Sequence, residues 1–171
     1  MLLLRASRSR LPAALLLLAA GCGYTLSSVL PSHIKTLAVP VFSNSTVEFG
    51  IADDVTRAVQ DAFQAEGRLV LRPEKEADSV LRGTVTLYRN RPFSYTQEER
   101  ATQYEITMSV KLLYRDLVRN RDIWKDDAFS VRTTYNVVAV GTAPAKTEAE
   151  ARAELVQLLA NQIVSRTVQG W

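Results

Sequence analysis

Between Tyr104 and Tyr114 apolar residues recur at every second position. Tyr104, Ile106, Met108, Val110, Leu112 and Tyr114 are apolar, and Glu105, Thr107, Ser109 and Lys111 stand between them. A period of two over eleven residues is the repeat of a β-strand with one face covered and the other wet. Such a strand needs sheet partners and an apolar layer over its inner face. Val80 to Tyr88 and Ile123 to Tyr135, the latter with Trp124, Phe129 and Val131, are the expected neighbours. Ile34, Leu37, Val39, Val41 and Phe42 form an earlier β-rich run, where Pro40 marks an edge or a bulge. Leu69 and Leu71 predict a short strand stopped by Pro73.

Two helical patterns supply the covering layer. Ile51, Val55, Ala58, Val59, Ala62 and Phe63 recur at three-to-four spacing. Ser45 and Glu48 fit a capping box before them, and Gly67 occupies the preferred C′ position after them. A second helix starts at Thr147, with Glu150 completing a capping box, and runs to about Arg166. Its expected inward stripe is Ala151, Leu155, Leu158, Leu159 and Ile163. The order β-α-β-β-β-β-α predicts an α/β two-layer sandwich. Its sheet is mixed, largely antiparallel and of 4–5 strands, with both amphipathic helices on one face.

The first 21 residues read as an export signal. Arg5, Arg8 and Arg10 form a basic segment, and Leu11 to Ala20 is an apolar stretch too short to span a bilayer comfortably. Ala19-Ala20-Gly21-Cys22 resembles the lipobox of bacterial lipoproteins, although Ala19 stands where Leu is commoner. That resemblance implies diacylglycerol on the Cys22 sulfur and an N-acyl chain on its amino group, with no other cofactor. Gly23, where enteric bacteria place an aspartate for inner-membrane retention, favours the outer membrane. The expected organisation is a signal peptide over 1–21, a tether over 22–33 and a single domain over 34–171. Removing the signal removes three of the 21 basic residues and leaves 18 against 18 acidic ones, so the mature chain is formally neutral. Bulk charge therefore gives no support for a nucleic-acid partner.

Catalytic patterns are missing from the sequence. One cysteine and one histidine, His33, argue against a disulfide framework, a zinc site and a His-based triad. No GxSxG, HExxH or phosphate-cradling glycine loop occurs. Asp53 and Asp54 are neighbours on a helix and point about 100° apart, so they read as a solvated face near the helix N-terminus. Asp126 and Asp127 read as exposed strand or turn residues, and His33 as a solvated tether residue. The chain is read as non-enzymatic.

Binding residues are easier to nominate. The connection from Arg89 to Gln103 is long for a hairpin and carries Arg89, Arg91 and Arg100 with Phe93 and Tyr95. Arginine forks suit phosphate, and aromatic rings suit a sugar or lipid face. A second basic group, Arg115, Arg119, Arg121 and Lys125, falls at the following turn, at the opposite end of the sheet.

Several short segments, in order, are similar to the LptE-like lipopolysaccharide-assembly lipoproteins. They are Cys22-Gly23-Tyr24, Ile34 to Val39, Phe42 to Thr46, Ala77 to Gly83 and Pro92 to Tyr95. The Tyr104 strand, Ile123-Trp124, the Glu148 to Ser165 helix and the terminal Trp171 continue the likeness. The resemblance implies a non-enzymatic plug inside an LptD-like outer-membrane β-barrel that helps the barrel assemble and delivers lipopolysaccharide to the cell surface. It implies a lipid anchor at the periplasmic face of the outer membrane. It does not map the family's lipid contacts, so Arg89, Arg91, Arg100, Phe93 and Tyr95 rest on charge and chemistry. The alternative is a periplasm-facing outer-membrane lipoprotein of the curli-secretion or peptidoglycan-synthase-activator type, acting as a protein-binding module. The lipobox resemblance generates one direct test: Cys22→Ala should leave an incompletely processed precursor that incorporates no palmitate. Normal palmitate labelling of that variant would sink the lipoprotein reading.

Overall fold

The computed structural model describes residues 30–169, so Cys22, most of the tether and Trp171 lie outside the described residues. Three long strands, β4 (Ser79–Tyr95), β5 (Ala101–Asp116) and β6 (Arg121–Asn136), form an antiparallel meander. Each is longer than the alternation alone predicts. Short strands extend the sheet beyond β4: β1 (Thr36–Ala38) lies between β4 and β3 (Val70–Leu71), parallel to both. The strand order is β3-β1-β4-β5-β6, and a sixth, two-residue strand, β2 (Ser43–Asn44), pairs with β4. Two helices, α1 (Ile51–Glu66) and α2 (Glu148–Val168), complete the α/β two-layer sandwich.

Alternation decides which face is covered. Ile106, Met108, Val110, Leu112 and Tyr114 of β5 are buried in one core with Val55, Val59 and Phe63 of α1 and Leu155, Leu159 and Ile163 of α2. Pro40 breaks the early β-rich run, and α1 catches the released backbone. Gln60 donates to the Val39 carbonyl (2.8 Å), and the Phe42 N–H donates to Thr56 Oγ1 (2.9 Å).

The helix ends behave differently from one another. Thr147 and Glu150 form the expected capping box, and Gly67, at φ 79°, closes α1 on the Phe63 carbonyl. The Ser45–Glu48 box does not form, because Gly50 at φ 73° separates that segment from the helix. Asn44 organises the loop instead: its Oδ1 accepts from Thr46 N–H and Oγ1–H, and its Nδ2 donates to the Glu48 carbonyl. Leu158 is exposed rather than buried. The covered face of α2 is centred between the Leu155–Leu159 and Val156–Ala160 rows, since the helix packs against both the sheet and α1.

Two aspartates fasten the base of the sheet. Asp78 Oδ2 accepts from Lys35 N–H, Thr36 N–H and Thr36 Oγ1–H at 2.8–3.0 Å, which fixes the entry of β1. Asp116 is fully buried and accepts from the Arg119 N–H (2.9 Å), with His33 Nε2 at 2.9 Å from its other oxygen. His33 is therefore half-buried and partnered, not the solvated residue expected. The reason is its position beneath the ends of β4 and β5, where Ser79 and Asp116 are register partners. Asp126 also departs from expectation. It is partly buried and paired with Arg166, whose guanidinium lies 4.9 Å from the Trp124 ring centroid.

Two outcomes follow from this packing. A methyl group on Gly83 would sit 2.1 Å from the buried Phe42 ring, so Gly83→Ala should cost about 1–3 kcal/mol in urea unfolding. Adding Phe42→Leu should recover part of that loss, and full stability of the single variant would refute the contact. At Asp116 burial raises the carboxyl pKa, but the Arg119 N–H and His33 outweigh it and hold the group below its ordinary value. A lowered folded-state pKa stabilises the fold above the unfolded value near 4 and loses that stabilisation as pH falls through the folded value. Asp116→Asn should therefore be less stable at pH 7 by about 1–3 kcal/mol and show a shallower decline as pH falls below the ordinary carboxylate range. Parallel acid limbs in the two proteins would show that Asp116 does not drive the acid transition.

Candidate functional site

The outer face of the sheet, opposite the helices, carries Arg89 and Arg91, two of the nominated residues. Register places them. Arg89 of β4 is opposite Thr107 of β5, which is opposite Arg132 of β6. One row further, Arg91 is opposite Glu105, which is opposite Thr134. On the other side Leu87, Ser109 and Ser130 form a third row, with the two serine hydroxyls 3.1 Å apart. Together Leu87, Thr107 and Ser130 with Arg89, Arg91, Arg132 and Glu105 line a cavity of about 420 Å³.

Charge within the cavity is unevenly satisfied. Arg91 reaches Glu105 Oε1 through Nε (3.0 Å) and Nη2 (2.6 Å). That pair covers the Glu105 side chain and leaves it nearly buried. Three guanidinium groups meet one carboxylate, so the lining carries an excess of two positive charges at neutral pH.

The nominated residues divide between two places. Arg89 and Arg91 come together in the cavity. Phe93 and Tyr95 lie exposed near the end of β4, and Arg100 belongs to the hairpin turn outside the cavity. The expected loop from Arg89 to Gln103 is thus corrected. Most of it is strand, and the turn is residues 96–100, closed by Thr96 N–H on the Arg100 carbonyl (2.8 Å). Register shifts at Val85/Leu87 and beyond Pro92 break the alternation there, which disguises strand as loop. Arg132 is the residue that sequence reasoning missed. Its signal is the inward pair Val131 and Tyr135 on β6, but only cross-strand register places it beside Arg89.

A larger cleft of about 800 Å³ opens between the N-terminal halves of α1 and α2. Its central polar groups, Arg152, Asp54, Tyr88 and Glu148, are committed to neighbours. Arg152 bonds Asp54 Oδ2 (3.0 Å) and the Phe49 carbonyl (3.2 Å) and lies 5.6 Å from the Tyr88 ring centroid. Tyr88 donates to Glu148 Oε1 at 2.9 Å; burial, then that bond, pushes the hydroxyl pKa up. The cleft braces the helices to the sheet. Beside it, the loop organised by Asn44 presents Val47 and Phe49 at 93% and 98% exposure. Among the described residues no cluster of three or more His, Cys, Asp or Glu side chains could hold a metal ion, and no helix is long and apolar enough to cross a membrane.

The chain's similarities agree with this architecture. The LptE family model, described as lipopolysaccharide-assembly, matches residues 34–167. No curated protein matches the chain. Among solved structures, a PelC dodecamer from Paraburkholderia phytofirmans aligns at TM-score 0.53 and 15% identity, over 83% of this chain and 95% of that one. A hypothetical protein from Chlamydia trachomatis aligns at TM-score 0.53 and 8% identity, over 78% and 95%. A minor lipoprotein from Acinetobacter baumannii aligns at TM-score 0.50 and 18% identity, over 80% and 92%. Identities this low establish a shared fold and nothing further.

Proposed function

The chain belongs to the LptE family of lipopolysaccharide-assembly proteins, and we propose that it acts as a plug and assembly factor for an LptD-like β-barrel. The family match over 34–167 carries this reading. The role is non-enzymatic: binding and placement are its chemistry. The protein is held at the periplasmic face of the outer membrane by acyl chains on Cys22, and it passes lipopolysaccharide through the barrel toward the surface. Arg89 and Arg91 contact the glycolipid from the sheet, while Phe93, Tyr95 and Arg100 extend that contact toward the hairpin turn.

Physical features support the plug. The lumen of a large barrel is polar and wet, so its occupant needs a hydrated face. The outer sheet face, with Thr107, Ser109 and Lys111 beside Glu105, meets that requirement. Exposed apolar side chains in a hydrogen-bonded loop, here Val47 and Phe49, fit a protein partner better than bulk water. The described chain enters at the base of the sheet beside Asp116, whereas Arg89 lies ten residues up β4, about 33 Å away. A membrane anchor at that base leaves the arginines directed away from the anchoring leaflet.

An enclosed plug should bury more than the roughly 1,600 Å² of a standard interface and survive detergent extraction. Depleting the protein should lower correctly assembled barrel and surface lipopolysaccharide together, and a photocrosslinker at Thr107 should trap the barrel. Intact barrel assembly after depletion, or a peptidoglycan synthase as the trapped protein, would instead favour the protein-binding-module alternative.

A further inference from the structure

β4, β5 and β6 contain six arginines, and four of them have a carboxylate partner: Arg82 with Glu74, Arg91 with Glu105, Arg115 with Asp122 and Arg121 with Asp116. The two without one among the described residues are Arg89 and Arg132, and they line the same cavity. Neighbouring strands are about 4.8 Å apart, so two residues separated by one strand start roughly 10 Å apart and can converge above the residue between them. That residue is Thr107, a hydroxyl and not a carboxylate. Two positive charges with a hydrogen-bonding hydroxyl between them, and no carboxylate in their own row, describe a receptor for an anion from outside.

We infer that the Arg89–Thr107–Arg132 row binds a phosphate monoester, with Arg132 as a principal contact. The inference rests on the glycolipid reading for the source of that phosphate, and it adds the chemical group and the residues that hold it. Charge fits the assignment: Glu105 neutralises Arg91, which leaves two unbalanced guanidinium groups to face the −1.5 to −2 charge of a phosphate monoester at pH 7. Geometry fits as well. Each guanidinium presents a planar fork to two phosphate oxygens, and the Thr107 hydroxyl can donate to another. The Arg91–Glu105 pair sets one boundary of the site, because its carboxylate repels a second anion in the next row. A volume of about 420 Å³ accommodates a phosphate together with part of the sugar that carries it.

Equilibrium binding by the full mature chain in detergent tests this, with bisphosphorylated lipid A, its dephosphorylated form and inorganic phosphate as probes. Arg89→Ala and Arg132→Ala should each weaken the phosphorylated lipid by roughly tenfold or more, while Arg132→Lys should recover part of the affinity. Arg72→Ala, an exposed arginine on the short strands' side of the sheet, removes the same charge without touching the row and should leave binding unchanged. The dephosphorylated lipid should bind weakly and be indifferent to Arg132→Ala. Inorganic phosphate that competes only at concentrations far above the lipid identifies the headgroup as the source; competition at similar concentrations identifies free phosphate. The phosphate assignment falls if a folded Arg132→Ala variant binds the phosphorylated lipid normally, or loses both lipids equally. It falls too if that variant keeps lipid binding but no longer co-purifies with the barrel, since the arginines would then serve barrel carboxylates. Barrel co-purification from unmutated cells reports separately on the plug reading, so either idea can fail while the other stands.

Discussion

Tyr104, Ile106, Met108, Val110, Leu112 and Tyr114 turn one side of β5 toward α1 and α2, and the pleat then obliges the intervening residues to face the other way. A one-residue slip would bury Glu105, Thr107, Ser109 and Lys111 beneath the helices and expose the aromatic and aliphatic side chains. Burial of this one face therefore locks register, and through register it determines which residues of β4 and β6 share a row. Arg89, Thr107 and Arg132 are distant in sequence and meet only because the apolar residues opposite them are buried.

The same dependence explains what can be read from the chain directly. Alternation on β5, the Thr147–Glu150 capping box and the Gly67 terminator depend on residues a few positions apart, and each appears where local spacing predicts it. The segment from Arg89 to Tyr95 is different. It lies beyond a bulge, includes Pro92, and has polar or exposed residues at successive positions, so it lacks a local β signal and is held as strand by pairing with β5. Arg132 has a readable facing but no readable neighbour. His33 looks like a tether residue because its partner, Asp116, is 83 positions away.

Formal neutrality of residues 22–171 conceals a sorted charge distribution. Several other cations on the long strands face carboxylates: Lys111 meets Asp127, and Arg115 meets Asp122. Surface pairs of this kind contribute little stability individually, but they cancel local fields. At the middle of the outer face two neighbouring cations, Arg89 and Arg132, have no such carboxylate. A non-enzymatic binding domain has no use for a poised acid or base; it needs a fixed field and hydrogen-bond donors already oriented. Strands provide these better than a loop, because backbone pairing has already restricted the positions from which the arginines extend.

Placement of that field relative to the membrane depends on the opposite end of the sheet. The chain arriving from the N-terminal side meets two aspartates before it enters the sheet. Asp116 engages His33, and Asp78 holds the backbone of Lys35 and Thr36. Only then does β1 pair between β3 and β4. Tension from an N-terminal lipid anchor would reach these hydrogen bonds first and then pull along β1, a geometry in which several bonds share the load. A peripheral attachment could peel away one bond at a time. The clamp would thus join the proposed anchor to the sheet that carries the arginine rows, so that orienting the base would also orient the outer face.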